Sequence, residues 1–209
     1  FSVSVVESAS LGGVCLNWGC IPTKALLKSA QAMSHAREGA AYGFSADNVE
    51  PDFQRIFARS REVAATMSKG IEFLFRKAGV RLILGTGKIL PDRQVEVTAA
   101  DGSVQVLAAG HIIIATGARP LSLPFAPVDG EKIWCSRQAL MPPFIPASMA
   151  VIGSGAVGTE FAYFYRSLGV EVTLIEFMDR VLPLEDDDVS AQVSRSLRKT
   201  GIKVMTSSA

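Results

Sequence analysis

Two cysteines near the start of the chain have the spacing and context for redox chemistry. Cys15 and Cys20 stand five positions apart, and the residues after Cys20 have high intrinsic helix propensity. Cys20 is therefore predicted at or just inside a helix N-terminus, where unpaired N–H groups and the helix dipole favour a thiolate over a thiol. The intervening residues, including Gly19, allow Cys15 to reach Cys20. A small disulfide loop of this kind favours redox cycling over a structural role.

A zinc site and a structural disulfide are the other chemistries open to these cysteines. Zinc needs four ligands, and the remaining candidates (Cys135, His35 and His111) do not stand at ligand spacing, so no metal site is predicted. A structural disulfide needs an oxidising compartment, whereas the chain has three cysteines and shows no signal peptide. The pattern favours a reducing compartment, either the bacterial cytoplasm or the mitochondrial matrix, with Cys135 as a free thiol.

A second stretch has the residues that bind a dinucleotide. Gly153, Gly155 and Gly158 form a G-x-G-x-x-G turn between a predicted strand and a predicted helix, and Glu176 ends the next strand. In this pattern the first glycine makes the turn, the second admits the pyrophosphate, and the third lets helix and strand pack closely. Backbone amides at the helix N-terminus bind the phosphates. Glu176 would accept hydrogen bonds from ribose hydroxyls and repel a 2′-phosphate, so the pattern predicts NAD over NADP.

The cysteine stretch resembles the redox-active segment of the flavin-dependent pyridine nucleotide–disulfide oxidoreductases. The matching residues begin at Cys15 and read Cys-Leu-Asn-Trp-Gly-Cys-Ile-Pro-Thr-Lys-Ala-Leu-Leu. Within that family the segment is most similar to members that oxidise dihydrolipoamide. The resemblance implies FAD and NAD as cofactors, and transfer of two electrons from a dithiol through the disulfide and FAD to NAD. It also implies that Cys15 exchanges with the substrate and that Cys20 interacts with the flavin.

The same resemblance implies roles for further residues. Lys24 would lie near the reactive nitrogen of the flavin, paired with Glu160, and Glu7 would bind the ribose of FAD. From the residues alone, Lys24 is a solvated helix lysine, Glu160 a partner of the helix dipole, and Glu7 a strand-end acid that fits either role. The other flavin-binding candidates precede the first cysteine or form an Ala-Thr-Gly signature: Gly12, Gly13, Ala115, Thr116 and Gly117.

The partners implied by the resemblance are a lipoyl domain and a second copy of the chain. The lipoyl domain of a 2-oxoacid dehydrogenase or glycine cleavage complex would carry the dihydrolipoamide, and the flavoprotein would be a homodimer. A formal net charge of +1 gives no reason to expect nucleic acid, and no apolar run is long enough to span a membrane. The alternatives are a glutathione- or mercuric-type reductase of the same family, and a non-catalytic module that binds nucleotide.

The elements that position these residues predict an α/β chain made of two partial Rossmann-like domains. The partial FAD-binding domain covers residues 1–145, and the N-terminal part of an NAD-binding domain covers 146–209, with most prolines in the connection at 120–148. Helices are predicted at 20–37, 53–77, 159–168 and 185–199, and strands at 2–7, 80–90, 94–98, 104–107, 112–115, 149–152, 170–176 and 202–205.

Several parts of the family pattern are not found, so we expect the chain to be an internal part of a longer protein. No glycine fingerprint precedes Glu7, and the second flavin segment and the C-terminal dimerisation domain are missing. The family's histidine–glutamate base belongs to that C-terminal region, and neither His35 nor His111 matches its motif. The chain alone is therefore not expected to turn over dihydrolipoamide.

Overall fold

The computed structural model describes residues 1–208, which form an α/β fold with three small sheets. Two parallel strands make the first sheet, three antiparallel strands the second, and three parallel strands the third. The predicted α/β class is therefore confirmed. The strands are β1 (Ser4–Glu7), β2 (Arg81–Leu84), β3 (Thr86–Leu90), β4 (Gln94–Thr98), β5 (Val104–Ala108), β6 (Ser148–Ile152), β7 (Glu171–Ile175) and β8 (Lys203–Met205).

Among the described residues, six α-helices connect these strands. The two long helices of the N-terminal half begin and end at the predicted residues, and the Asp52 side chain caps the second by accepting from Arg55 N at 2.9 Å. None of the helices in the described part of the chain is long and apolar enough to cross a membrane. The helices are α1 (Gly13–Trp18), α2 (Cys20–Arg37), α3 (Phe53–Lys77), α4 (Ser136–Leu140), α5 (Ala156–Ser167) and α6 (Asp187–Lys199).

A bend at Gly85 divides the predicted strand at 80–90 between two sheets. β2 pairs in parallel with β1, whereas β3 begins the antiparallel sheet and pairs with β4. A Cβ atom at Gly85 would lie 2.6 Å from the Thr98 carbonyl oxygen, so the close approach of the bend to the end of β4 requires glycine. The sequence predicts one continuous strand because apolar residues stand on both sides of the bend, at 82–84 and 89–90.

The main hydrophobic core joins α2 to α5 and β7. Leu26 of α2 is fully buried in the same apolar cluster as Phe164 and Tyr165 of α5 and Leu174 of β7. Tyr165 donates its hydroxyl proton to the Ala139 carbonyl oxygen at 2.8 Å, and burial raises the pKa of this phenol. Packing between α2 and α5 therefore fixes where the cysteines lie relative to the glycine turn.

The prediction of a strand at residues 112–115 is wrong. Residues 109–122 form neither helix nor strand, and the side chains of Ile113 and Ile114 are 91% and 70% exposed. A strand needs a hydrogen-bonding neighbour, and among the described residues no strand pairs with this segment. The apolar run of four residues predicted a buried strand because hydrophobicity alone does not show whether a partner strand is present.

Candidate active site

The structure joins Cys15 and Cys20 in a disulfide and leaves Cys135 as a free thiol, which confirms the predicted pairing. Cys15 lies in α1 and Cys20 is the first residue of α2, with 4.8 Å between their Cα atoms. Gly19 separates the two helices, and its carbonyl oxygen accepts from the Thr23 N–H at 3.1 Å and from the Thr23 hydroxyl at 2.7 Å. Both cysteines are exposed.

Helix α1, which carries the first cysteine, was not predicted from the sequence. The chain turns into it through Gly12 and Gly13, whose φ angles are +97° and +63°. A Cβ atom at Gly12 would lie 2.6 Å from Cδ1 of Leu16, a buried residue of α1. These two glycines, predicted as flavin-binding residues, therefore have a backbone reason to be glycine. A helix of six residues gives too short a hydrophobic pattern to be recognised.

Lys24 and Glu160, predicted as a pair from the resemblance alone, form an ion pair between α2 and α5. Lys24 follows Cys20 by one helical turn, and Glu160 lies in the first turns of the helix after the glycine turn. The pair lines a cleft of about 520 Å³ between the two helices. The Lys24 side chain is 61% exposed and that of Glu160 27%, so the pair adds little to stability, and its importance lies in where it places a charge.

The other flavin-binding candidates lie near the disulfide loop or at the end of β1. Gly117, with φ +78°, lies next to α1, because a Cβ atom built on it would be 3.7 Å from Cγ2 of Val14. Ala115 and Thr116 are exposed beside it. Glu7 ends β1 as predicted, and one carboxylate oxygen accepts from Ala9 N at 2.7 Å. The second oxygen of Glu7 is thus available to a ligand hydroxyl.

The glycine turn has the geometry that the fingerprint predicts. Gly153 has φ +94°, and Gly155 directly precedes α5 with open space where a Cβ atom would be. A Cβ atom on Gly158 would lie only 1.9 Å from the Gly153 carbonyl oxygen. The third glycine therefore permits close contact between α5 and the turn, and the open side of Gly155 leaves room for a phosphate.

Glu176 is buried at the end of β7 and is fixed by the glycine turn. Its Oε2 accepts from the backbone N–H and the hydroxyl of Ser154, both at 2.7 Å, and its Oε1 accepts from Met178 N at 2.9 Å. Burial opposes ionisation, but the hydrogen bonds from Met178 and Ser154 outweigh it and lower the pKa of the carboxyl. Oε1 keeps an acceptor site for a ribose hydroxyl, so the turn and the acid fit NAD.

Sequence reasoning missed the residues that hold these groups in place. Ser154 stands between the first two fingerprint glycines, where the motif permits any residue. Arg61 and Ser68 of α3 contact the disulfide loop at Asn17, from positions 44 and 51 residues further along the chain. Arg137 of α4 approaches the same loop from within the proline-rich connection. No local pattern marks such long-range contacts.

Comparison with known proteins identifies the family of the chain. The family model for pyridine nucleotide-disulphide oxidoreductases matches residues 1–209. The dihydrolipoyl dehydrogenase of Zymomonas mobilis is 45% identical over 99% of this chain and 44% of its own length. A dihydrolipoyl dehydrogenase of Bacillus subtilis is 35% identical over 99% of this chain and 45% of its own length. A leghemoglobin reductase of Vigna unguiculata is 40% identical over 95% of this chain and 38% of its own length.

Two solved structures with high TM-scores to this chain agree with the family match. The crystal structure of LpdA from Mycobacterium tuberculosis superposes with a TM-score of 0.90 at 32% identity, covering 99% of this chain and 45% of that one. The Cu(II) complex of the flavoprotein disulfide reductase RclA from Escherichia coli superposes with a TM-score of 0.78 at 25% identity, covering 100% and 44%. The chain thus spans less than half the length of the relatives it matches. The family uses FAD and NAD, and this chain belongs to it: the pyridine nucleotide–disulfide oxidoreductases.

Proposed function

We propose that the full-length protein oxidises a dithiol with NAD through the Cys15–Cys20 disulfide. The observation that supports this most directly is the exposed disulfide at the N-terminus of α2. The next turn of α2 carries Lys24, which pairs with Glu160 of α5. Glu7 and Gly117 are among the residues that would hold FAD, and bound FAD would supply the two-electron chemistry between the reduced cysteines and NAD. The residues of this chain provide thiol exchange, charge placement and nucleotide binding.

Thiol exchange at the disulfide proceeds in two steps. A substrate thiolate attacks the sulfur of Cys15, which forms a mixed disulfide and releases Cys20 as a thiolate. The second substrate thiol gives up its proton and attacks the substrate sulfur of the mixed disulfide, which breaks the bond to Cys15. The substrate leaves as a disulfide, and the Cys15 thiolate takes up the released proton to become a thiol. The N-terminus of the 18-residue helix α2 stabilises the charge on Cys20.

Dihydrolipoamide is the dithiol that we propose as substrate. Relatives called dihydrolipoyl dehydrogenase from several bacteria cover nearly all of this chain. We further propose that the dihydrolipoamide is carried on a lipoyl domain of a 2-oxoacid dehydrogenase or glycine cleavage complex, and that the enzyme is a homodimer in a reducing compartment. The exposed position of Cys15 supports a substrate carried on another protein.

A substrate panel distinguishes this proposal from the related reductases. We expect the full-length protein with FAD to reduce NAD with dihydrolipoamide at a kcat/KM at least about 10²-fold above that for glutathione disulfide or mercuric ion with NADPH. The rates are followed by nicotinamide absorbance. Faster reduction of glutathione disulfide or mercuric ion would assign the protein to a reductase instead. A correctly folded protein that takes up no flavin and shows no turnover would support the non-catalytic alternative.

The choice of nucleotide is predicted to depend on Glu176. Glu176→Gln replaces the charged acceptor, so kcat/KM for NAD should fall about tenfold and discrimination against NADP should weaken. Glu171→Gln is the matched control, because Glu171 is exposed at the other end of the same strand. Better use of NADP than NAD by the unmodified enzyme would contradict the assignment.

A further inference from the structure

The disulfide loop contains a tryptophan that lies against two arginines from other parts of the chain. Trp18 stands two positions before Cys20, inside the loop that the disulfide closes. The Cζ atom of Arg61 lies 5.0 Å from the centroid of its ring, and that of Arg137 lies 5.1 Å away. Both distances are within the range of a cation–π contact. The loop is thus attached through one ring to α3 and to α4.

Arg61 is committed to this loop by its hydrogen bonds. Its Nη1 donates to the carbonyl oxygen of Asn17 at 2.6 Å, at the C-terminal end of α1. Its Nε and Nη2 are buried and have no hydrogen-bond acceptor among the described residues. Buried donors without an acceptor cost free energy, so stacking on Trp18 is the interaction that compensates for this placement. The buried position of the Arg61 guanidinium therefore depends on its contact with the Trp18 ring.

A second contact from α3 holds the same part of the loop. The Ser68 hydroxyl lies 3.1 Å from Oδ1 of Asn17 and 3.0 Å from the Leu11 carbonyl oxygen. Asn17 Nδ2 donates to the carbonyl oxygens of Leu11 at 2.9 Å and Gly13 at 3.0 Å. Ser68 and Arg61 are seven positions apart, which places them on one face of α3. One helix face thus fixes α1 at both ends.

We propose that Arg61 and Arg137 are positioning residues that keep Cys15 and Cys20 within reach of each other when the disulfide is reduced. Reduction takes two electrons and one proton and converts the S–S bond into a thiol on Cys15 and a thiolate on Cys20. In the oxidised protein the covalent bond already closes the loop. In the reduced protein the loop is restricted by non-covalent contacts, and the two arginines on Trp18 provide part of them. Without them the reduced loop gains conformational entropy, so the equilibrium moves toward the thiols.

The direction of this shift separates positioning from a simple charge effect. If the two arginines acted only by their charge, they would stabilise the Cys20 thiolate, and their removal would make the disulfide harder to reduce. Loss of positioning makes it easier to reduce. The two explanations predict opposite signs for the same measurement. The proposal rests on the proposed function only in that Cys15 and Cys20 are cycled between disulfide and thiols.

The experiment measures the equilibrium between the disulfide and dithiothreitol in the full-length, FAD-loaded enzyme. Samples are quenched with acid, alkylated and digested, and thiols on the peptide that contains Cys15 and Cys20 are counted by mass. For Arg61→Met we expect half-reduction at a ratio of reduced to oxidised dithiothreitol about tenfold below that of wild type. This corresponds to a reduction potential about 30 mV higher, so the disulfide is easier to reduce. Arg55→Met is the matched control, since Arg55 lies on the same helix and pairs with Glu62 at the surface. It should leave the midpoint unchanged.

Two further variants make the result decisive. Arg137→Met removes the exposed arginine without changing α3, so it tests the proposal even if Arg61→Met does not fold. Arg61→Lys keeps the charge but loses the planar stack, and it should restore less than half of the shift. A midpoint within twofold of wild type for every methionine variant that folds would overturn the proposal, as would a shift toward harder reduction. Because neither NAD nor dihydrolipoamide is used, an inactive enzyme would disprove the proposed function without affecting this result.

Discussion

Cys20→Ser is expected to abolish dithiol-dependent reduction of NAD by the full-length enzyme, by about 10³-fold or more in kcat. The substitution leaves Cys15 without a partner sulfur, so the disulfide that receives the electron pair no longer forms. A serine hydroxyl at the start of α2 does not replace the thiolate, because it does not ionise at neutral pH. Fold and flavin content should be retained, since Cys20 is exposed and its side chain fills no core position.

The matched control is Cys135→Ser. Cys135 is the free thiol, and its Sγ lies 2.9 Å from Oε1 of Gln138, which a serine hydroxyl also reaches. We expect this variant to keep turnover within about twofold of wild type. Turnover that survived Cys20→Ser, measured as nicotinamide absorbance on protein of verified mass, would remove the disulfide from the reaction. Loss of turnover in Cys135→Ser alone would point to a second functional sulfur.

Features that depend on neighbouring residues in the chain were predictable from the sequence. α2 and α3 begin and end at the predicted residues because a cysteine-proline start and an Asp52 cap are local signals. The glycine turn was also correctly placed, because the spacing of its three glycines is itself a local pattern: a left-handed turn at Gly153, open space at Gly155 and close packing at Gly158. Even so, α5 begins at Ala156 and not at 159. Gly155 is its N-cap residue, so the third glycine of the motif lies inside its first turn.

Features that depend on distant parts of the chain were not predictable. The apolar run at residues 112–115 has the composition of a strand, but strand formation is decided by a partner that its own residues do not contain. The contact between Arg61 and Trp18 joins residues from two helices, and either residue alone is unremarkable in its segment. The Lys24–Glu160 pair was found only through the resemblance, since 136 positions separate the two residues.

The glycines of the dinucleotide turn should differ sharply in what they tolerate, and Gly158→Ala is expected to have the largest effect on stability. Its methyl group would lie 1.9 Å from the Gly153 carbonyl oxygen, so either α5 or the turn must move. α5 also carries Phe164 and Tyr165, two of the largest buried side chains of the core. A displaced helix therefore disturbs the packing around α2 as well. We expect a loss of about 3 kcal/mol in the free energy of unfolding.

Gly155→Ala is the matched comparison, because it adds the same methyl group three positions earlier. Gly155 has φ −66°, and no atom lies within 4 Å of the added Cβ, so the free energy of unfolding should change by less than about 1 kcal/mol. The methyl group instead occupies the side of the turn that a pyrophosphate approaches, so affinity for NADH should fall about tenfold or more. Urea unfolding and NADH titration of both variants separate the two effects. Equal losses of stability would show that the close contact at Gly158 does not hold α5 in place.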